Sequence, residues 1–331
     1  MSSKDNHLTD SEKVRLLLAP MQGLCDDVMR DLLTRIGGYD ECISEFVRIT
    51  HTVHSRPTWL RHIPEIANGN RTAAGVPCTV QILGSDAEMM AQNAVQAVRF
   101  GAERLDINFG CPAPTVNKHQ GGAVLLKTPE RVYQIVRRVR DALPDTVMLS
   151  AKMRLGYDNT DLALANAEAV AAGGAAVLTV HARTKVQGYE PPAHWGWLKT
   201  IREHIGIEVV ANGDVFDLAD YRAIREASGC RQIMLGRGAV MRPDLARQIK
   251  QFERGENVCE AVFDGEVMEW IRLFFELCTA KEPEGKYAVA RLKQWLGMLK
   301  KVYPQAEELF AAVRTLREAD AVRDVLQRFP Q

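Results

Sequence analysis

Several absences narrow the class of this 331-residue chain before any motif is read. It has no C-x-x-C pair. Its seven cysteines, Cys25, Cys42, Cys78, Cys111, Cys230, Cys259 and Cys278, are odd in number and widely scattered, so neither a disulfide framework nor a metal site is expected. No apolar run reaches the ~18 residues of a membrane span. The start, MSSKDNHLTDSEK, is polar and lacks the apolar core of a secretory leader. A reducing cytoplasm is the expected location. Excess charge is also missing: Lys+Arg and Asp+Glu both number 42, so the chain has no global basic field of the kind many nucleic-acid binders carry. Any phosphate contact must come from a local patch. Hydrophobic residues at 46% and charged residues at 25% exclude a disordered or collagen-like chain. The length suits one large barrel with an appendage or two ordinary domains.

What the sequence does have is alternation. Short apolar or β-branched runs occur eight times: VRLLLAP from Val14, CISEFV from Cys42, CTVQILG from Cys78, RLDINFG from Arg104, VMLSAKM from Val147, AVLTVHA from Ala176, IEVVANG from Ile207 and RQIMLGR from Arg231. Between most of them lie stretches with helical spacing, at Asp27 to Ile36, Ala87 to Phe100, Pro129 to Leu143, Leu162 to Ala172 and Leu218 to Ala227. Strand alternating with helix implies parallel strands joined by crossovers. Eight such units predict an α/β fold closed into a (β/α)8 TIM barrel rather than an open sheet. The run ends APMQG, NFGCP, AKMRLG, HARTK, ANGD and LGRG are polar or glycine-rich. In a barrel those C-terminal strand ends form the active-site face.

Past Arg247 the strand signal stops. EVMEWIRLFFELC, AVARLKQWLGMLKKVY and AEELFAAVRTLR carry apolar residues at three- and four-residue spacing, with Pro283 and Pro304 near the breaks. Three or four helices are expected there. The stripe Leu273, Phe274 and Leu277 reads as core packing. The organisation expected is a polar tail over residues 1–13, a barrel over 14–255 and an all-α helical domain over 262–331. The polar stretch ERGENVCE from Glu253 is the expected linker.

The densest chemical signal is RLDINFGCPAPTVNKHQGGAVLL, where a buried-looking strand ends in Asn108, Gly110, Cys111 and Pro112 before a loop to Gly121 and Gly122. This stretch resembles the signature of the tRNA-dihydrouridine synthases, whose Asn-x-Gly-Cys-Pro strand end and downstream glycine plus small residue, here Gly122-Ala123, are all present. The resemblance covers roughly Arg15 to Arg314. It implies reduction of a tRNA uridine by an FMN-carrying barrel, with NADPH as the transient source of reducing equivalents. No dinucleotide fingerprint is visible, so NADPH is expected to visit the flavin pocket and leave.

That reaction places a hydride on carbon 6 of uracil and a proton on carbon 5; a flavin supplies the first and an acid the second. A thiol with an unperturbed pKa of about 8.5 keeps its proton at neutral pH yet can release it, which makes Cys111 the expected proton donor. Taken by itself, a cysteine is more often an inert buried thiol. The flavin-binding positions of the family fall on Pro20, Met21 and Gln22, then on Gln81, Lys152 and His181, then on Asn212, Gly213, Asp214, Gly236 and Arg237. Independently of the family, the Gln81 amide can pair with a flavin ring edge, and Lys152 can place positive charge where the reduced ring turns anionic. The glycines of ANGD and LGRG sit where barrels build phosphate sites, and Arg237 can add a bidentate contact. Each has a plain alternative: Lys152 a solvated charge, His181 a core histidine, the glycines turn formers.

For the RNA, the segment from Ala280 onward carries ten basic residues against seven acidic. Arg291, Lys293, Lys300 and Lys301 share one amphipathic stretch that could present phosphates with a basic face, the alternative being a merely solvated face. EFVRI and YAVARLKQWLGML resemble the bacterial C-type synthases, which act on uridine 16 of the D-loop. Their tRNA-orienting signature falls on Arg48, Arg291, Lys293, Met298 and Arg314, with Met298 replacing an aromatic; Asn108 is a further expected tRNA contact. Trp195 and Trp197 belong either to the core or near the RNA. No obligate protein partner is expected. Two other readings remain: an FMN barrel acting on a free small molecule, as dihydroorotate dehydrogenases do, and a tRNA-binding folding factor whose reductase chemistry is dispensable.

Overall fold

Eight parallel staves close into a ring in this computed structural model, which describes residues 14–329; the polar tail expected over residues 1–13 lies outside the described residues. The strands are β1 (Arg15–Leu18), β2 (Glu41–Ile43), β3 (Val47–Arg48), β4 (Cys78–Leu83), β5 (Arg104–Phe109), β6 (Met148–Arg154), β7 (Val177–His181), β8 (Glu208–Asn212) and β9 (Gln232–Leu235). Their order is β2-β1-β9-β8-β7-β6-β5-β4, and β2 also pairs with β4 to complete the ring. All eight apolar runs form staves. The second is split into β2 and β3, both paired to β4, and between them Ser44 Oγ accepts the N–H of Gln81 on β4 at 3.0 Å in place of a backbone ladder bond. Both faces of the central strands are covered, which is why they read as continuous apolar runs; β4 is buried along its whole length.

The barrel helices are α1 (Asp27–Ile36), α2 (Arg56–His62), α3 (Ala87–Arg99), α4 (Pro114–Lys118), α5 (Pro129–Ala142), α6 (Ala163–Ala172), α7 (Gly196–His204), α8 (Leu218–Ser228), α9 (Arg237–Met241) and α10 (Leu245–Glu253). The five longest-patterned match the spacing read from sequence. Asp26 and Asp217 cap α1 and α8, accepting from the N–H groups of Met29 and Asp220 at 3.0 and 2.9 Å. The five- and seven-residue helices α2, α4 and α9 are too short to show a helical period, and the amphipathic nine-residue helices α7 and α10 were passed over.

Four helices follow, α11 (Met268–Lys281), α12 (Lys286–Leu299), α13 (Gln305–Val313) and α14 (Ala319–Arg328). They pack on the barrel through α1 and α9. Trp295, fully buried, meets Phe274 edge-on at 4.8 Å and donates its indole N–H to the carbonyl of Val240 at 2.9 Å. One apolar cluster runs without a break from the barrel staves through these helices. Within the expected stripe, Phe274 is buried but Leu273 is 38% exposed, because the core takes Ile271, Phe274, Phe275 and Cys278 of α11 instead. Among the described residues no helix is long and apolar enough to cross a membrane.

Candidate active site

Side chains alternate along a strand. Thus Asp106 and Asn108, Ser150 and Lys152, Thr179 and His181, and Val210 and Asn212 form inward-facing pairs on four successive staves. The outermost of each pair reaches a cavity of about 540 Å³ at the C-terminal end of the ring. Every position to which the resemblance assigned flavin contact lines this cavity, from Pro20, Met21 and Gln22 through Gln81, Lys152 and His181 to Asn212, Gly213, Asp214, Gly236 and Arg237; Cys111 and Asn108 line it too. An apolar cluster of Leu17, Ala19, Ile43, Val210 and Met234, against which Met21 packs, lies beneath.

A relay of hydrogen bonds fixes the Cys111 side. The buried carboxylate of Asp106 accepts from Ser150 Oγ and Gln81 Nε2, each at 2.7 Å. Gln81 Oε1 accepts from Asn108 Nδ2 at 2.8 Å, and Asn108 Oδ1 accepts the N–H groups of Gly110 and Cys111, each at 2.9 Å. Asn108 therefore sets the turn that presents the thiol. Beyond it, Asn117 Nδ2 donates to the carbonyls of Cys111 and Ala113 at 2.9 and 2.8 Å, and Asn117 Oδ1 accepts from Val124 N–H at 2.8 Å. Gly122 has φ of +67°, and a Cβ there would lie 2.9 Å from the Cys111 carbonyl oxygen. Only glycine lets the returning loop pass that close.

Burial pushes the Cys111 thiol up from its ordinary value, outweighing the Ala113 backbone bond and the charges of Arg154 and Arg48 that pull it down. The thiol is thus protonated at neutral pH. Burial, aided by Arg154 and opposed by Asp106, pushes the Lys152 ammonium down to about 8. Its Nζ donates to Asn212 Oδ1 at 3.1 Å, whose Nδ2 in turn donates to the carbonyl of Met234 at 2.9 Å. Burial first, then Arg154 and Lys152, hold His181 well below its usual value and so neutral. Asp106 is pushed up to about 6 by burial against its two donors and Lys152.

Sequence reasoning passed over several groups here. Arg154, 2% exposed, donates to the carbonyls of Gly110, Thr184 and Gly188 at 3.0, 2.9 and 2.9 Å, tying the Cys111 turn to the loop after β7. Arg183 is ion-paired with Asp214, which Arg237 also approaches at 3.8 Å. Tyr189, 51% exposed, has Arg154 and Arg237 near its ring at 5.1 and 4.7 Å. The arginines of AKMRLG and HARTK stood beside residues already chosen; position at a strand end could have flagged them. Of the two tryptophans left open, Trp195 is partly buried and donates its indole N–H to the Gly213 carbonyl at 2.8 Å, so it supports the cavity wall, and Trp197 packs partly buried on the main core.

The residues expected to meet RNA differ in exposure, and Arg291 among them is buried. Arg48 is half-buried on the mouth side of the split second stave. Arg314 is exposed and Met298 is packed against the core. Arg291 does not stand on a solvent face with Lys300 and Lys301: it is 7% exposed, with Nε 3.0 Å from Asp26 Oδ2 and Nη2 donating to the Leu24 carbonyl at 2.8 Å. Lys293 donates to the Leu316 carbonyl, and Lys300 pairs with Glu307 at 2.9 Å. The one-sided basic face read from α12 is therefore corrected. The apolar stripe of α12 turns Arg291 toward the barrel, nine residues and half a revolution from Lys300.

A closed ring of parallel strands with a cavity at its C-terminal mouth, apolar over most of its lining but ringed by polar strand-end side chains, defines a barrel enzyme. The fold is similar to that of histamine dehydrogenase from Rhizobium sp. 4-9, with a TM-score of 0.54 at 15% identity, covering 80% of this chain and 49% of that one. The chain belongs to the dihydrouridine synthase family, whose description, Dihydrouridine synthase (Dus), matches residues 17–329. It is 64% identical over 318 residues to the tRNA-dihydrouridine(16) synthase of Neisseria meningitidis serogroup A, covering 96% of this chain and 95% of that protein. It is 47% identical over 323 residues to the enzyme of the same name from Aquipseudomonas alcaligenes, covering 96% and 100%.

Proposed function

We propose that this dihydrouridine synthase reduces uridine 16 of tRNA, with FMN held in the barrel mouth and NADPH as reductant, in the cytoplasm. The observation that carries the reading is the convergence of every flavin-assigned position with Cys111 and Asn108 on one cavity. Its volume of about 540 Å³ lies within the ~300–1,000 Å³ of small-molecule sites. The donor set also suits FMN. Gln81 keeps a spare N–H and a spare lone pair after meeting Asp106 and Asn108. Lys152 offers a cation toward the ring, and Gly213, Gly236 and Arg237 offer backbone N–H groups and a guanidinium toward the phosphate.

When bound and reduced, FMN supplies the hydride to carbon 6 of uracil. Cys111, kept protonated by burial, gives its proton to carbon 5, so that two hydrogens add across the double bond. Asn108 holds the Cys111 turn and faces the target base. Arg48, Lys293, Met298 and Arg314 touch the tRNA body, while Arg291 acts on the RNA-facing helix from behind. The uridine must leave its stack to reach the mouth.

The test is direct. Protein loaded with FMN and supplied with NADPH and unmodified tRNA should yield dihydrouridine at nucleotide 16, mapped at single-nucleotide resolution. Reduction of a free pyrimidine with no change in tRNA would replace this reading by the small-molecule one, and failure to load FMN would remove it.

A further inference from the structure

The stretch from Arg48 to Pro64, RITHTVHSRPTWLRHIP, carries Arg48, Arg56 and Arg61 and three histidines but no acidic residue, in a chain whose overall formal charge is zero. It leaves the mouth side of the second stave, two residues beyond cavity-lining Phe46, and Arg48 is near enough to Cys111 for its charge to lower that thiol. The next acid, Glu65, neutralises nothing outside: it is 6% exposed and locked to Arg30 at 2.8 Å.

Some exposed guanidiniums elsewhere find a carboxylate, as Arg35 does with Asp31, Arg138 with Glu88 and Arg254 with Glu256, and others, such as Arg99, Arg222 and Arg317, do not among the described residues; what sets this stretch apart is that its cations are grouped beside the mouth with no acid among them. The side chains of Arg48, Arg56 and Arg61 make no ion pair or hydrogen bond among the described residues. Their backbone is nonetheless firmly seated. Trp59 is fully buried, His54 donates its N–H to Asn93 Oδ1 at 2.9 Å, and Asn93 Nδ2 donates to the Thr52 carbonyl at 3.1 Å. A cationic surface held rigid, unneutralised and beside the mouth suits a polyanion, since prepaid ordering lowers the cost of each phosphate contact.

We propose that residues 48–62 form a second phosphate-contacting surface for the tRNA substrate, on the barrel and separate from the C-terminal helices. The inference rests on the tRNA reading above and adds to it where the polyanion lies. Those helices pack on α1 and α9, and the Arg30–Glu65 pair joins α1 to the end of this stretch. RNA held by both surfaces would therefore span the side of the mouth where Met21 and Gln22 also stand.

The experiment measures binding of unmodified tRNA to FMN-loaded protein across salt, for the parent, Arg56→Ala/Arg61→Ala and Arg56→Lys/Arg61→Lys. The alanine pair should weaken binding and reduce the slope of log K against log salt by about 2, roughly one per lost phosphate contact. The lysine pair should keep the slope within about 0.5 of the parent, since the charge remains. Circular dichroism and melting confirm that both variants fold. An alanine pair with parent affinity and parent slope overturns the proposal. If the parent itself forms no dihydrouridine, the functional reading fails instead, and the two failures are told apart.

Discussion

Cys111 can serve as an acid only while it holds a proton, and its setting secures that: burial raises the thiol, and the turn that carries it is pinned by Asn108 and Asn117 rather than by partners of the sulfur itself. Cys111→Ala should thus slow dihydrouridine formation by about 10²–10⁴, the usual contribution of a positioned acid, with FMN content by absorbance unchanged. Full turnover in that variant would take the role away from Cys111. Lys152 makes the opposite bargain. Its ammonium stays charged at neutral pH although burial has pushed it down to about 8, so the fold carries a desolvation cost there. Because its folded value lies below the unfolded one, the unfolded chain binds more protons between about 8 and about 10.4, and stability should rise with pH across that window. Lys152→Met removes the cost and should raise stability at pH 7 by up to roughly 3 kcal/mol, while weakening FMN binding. Denaturant titrations of both proteins from pH 7 to 10 check this: the gap should narrow with rising pH, and parallel curves would show that Lys152 is not desolvated in the folded state.

At the scale of elements, helix α12 and the turn between β1 and α1 behave as one unit. Arg291 donates to the carbonyls of Gly23 and Leu24 at 3.2 and 2.8 Å, Gln294 donates to Gly23 at 2.8 Å, and the Tyr287 hydroxyl joins Asp26. On the other side of the turn, Gly23 N–H meets cavity-lining Glu45, and Met21 and Gln22 themselves face the cavity. Burial works to raise Asp26, but Arg291 and Tyr287 overcome it and hold the carboxyl below its ordinary range, so the pair persists at neutral pH and is lost only in strong acid. Arg291→Ala takes the guanidinium from Asp26 and from two backbone carbonyls of this turn; a loss of about 3 kcal/mol is expected for a broken buried pair. The turn should loosen with it, so FMN retention should fall alongside Tm. A variant as stable as the parent, with undiminished flavin, would leave Arg291 with no clasping role. None of this clasp was legible beforehand. Strands and their mouth ends declare themselves locally, through short apolar or β-branched runs and polar strand ends, so all eight staves and the cavity wall could be read from them. An arginine beside an apolar stripe reads as solvent-facing unless its partner is known, and Asp26 lies 265 residues away. Arg30, Arg154 and Arg183 were missed for the same reason.

Over the whole molecule, the ten-to-seven charge excess of the C-terminal segment does not gather on one exposed face, since Arg291 is buried and Lys300 is paired with Glu307. Packing raises a related question about the helical part, which sequence set apart as a domain over residues 262–331. The apolar cluster does not stop at that boundary: Val240, Ala239 and Leu245 of the barrel share it with Met268, Phe274, Trp295 and Leu299. Trp295 alone buries a large aromatic face and satisfies the Val240 carbonyl, and α9, which it covers, begins at the flavin-assigned Arg237. Removing the helices would strip α1 and α9 of their cover and expose an apolar patch larger than monomers generally tolerate. A chain ended after residue 255 should therefore aggregate or melt lower by about 4–12 °C, the shift that a loss of ~2–3 kcal/mol produces in a domain of this size. It should also fail to retain FMN, because Arg237 and the Gly23 turn lose their backing together. Expression of residues 1–255, followed by size-exclusion chromatography, thermal unfolding and flavin absorbance, decides the matter. A monomeric yellow barrel melting with the full chain would mean that the helices are a separable RNA grip rather than part of the wall that holds the cofactor.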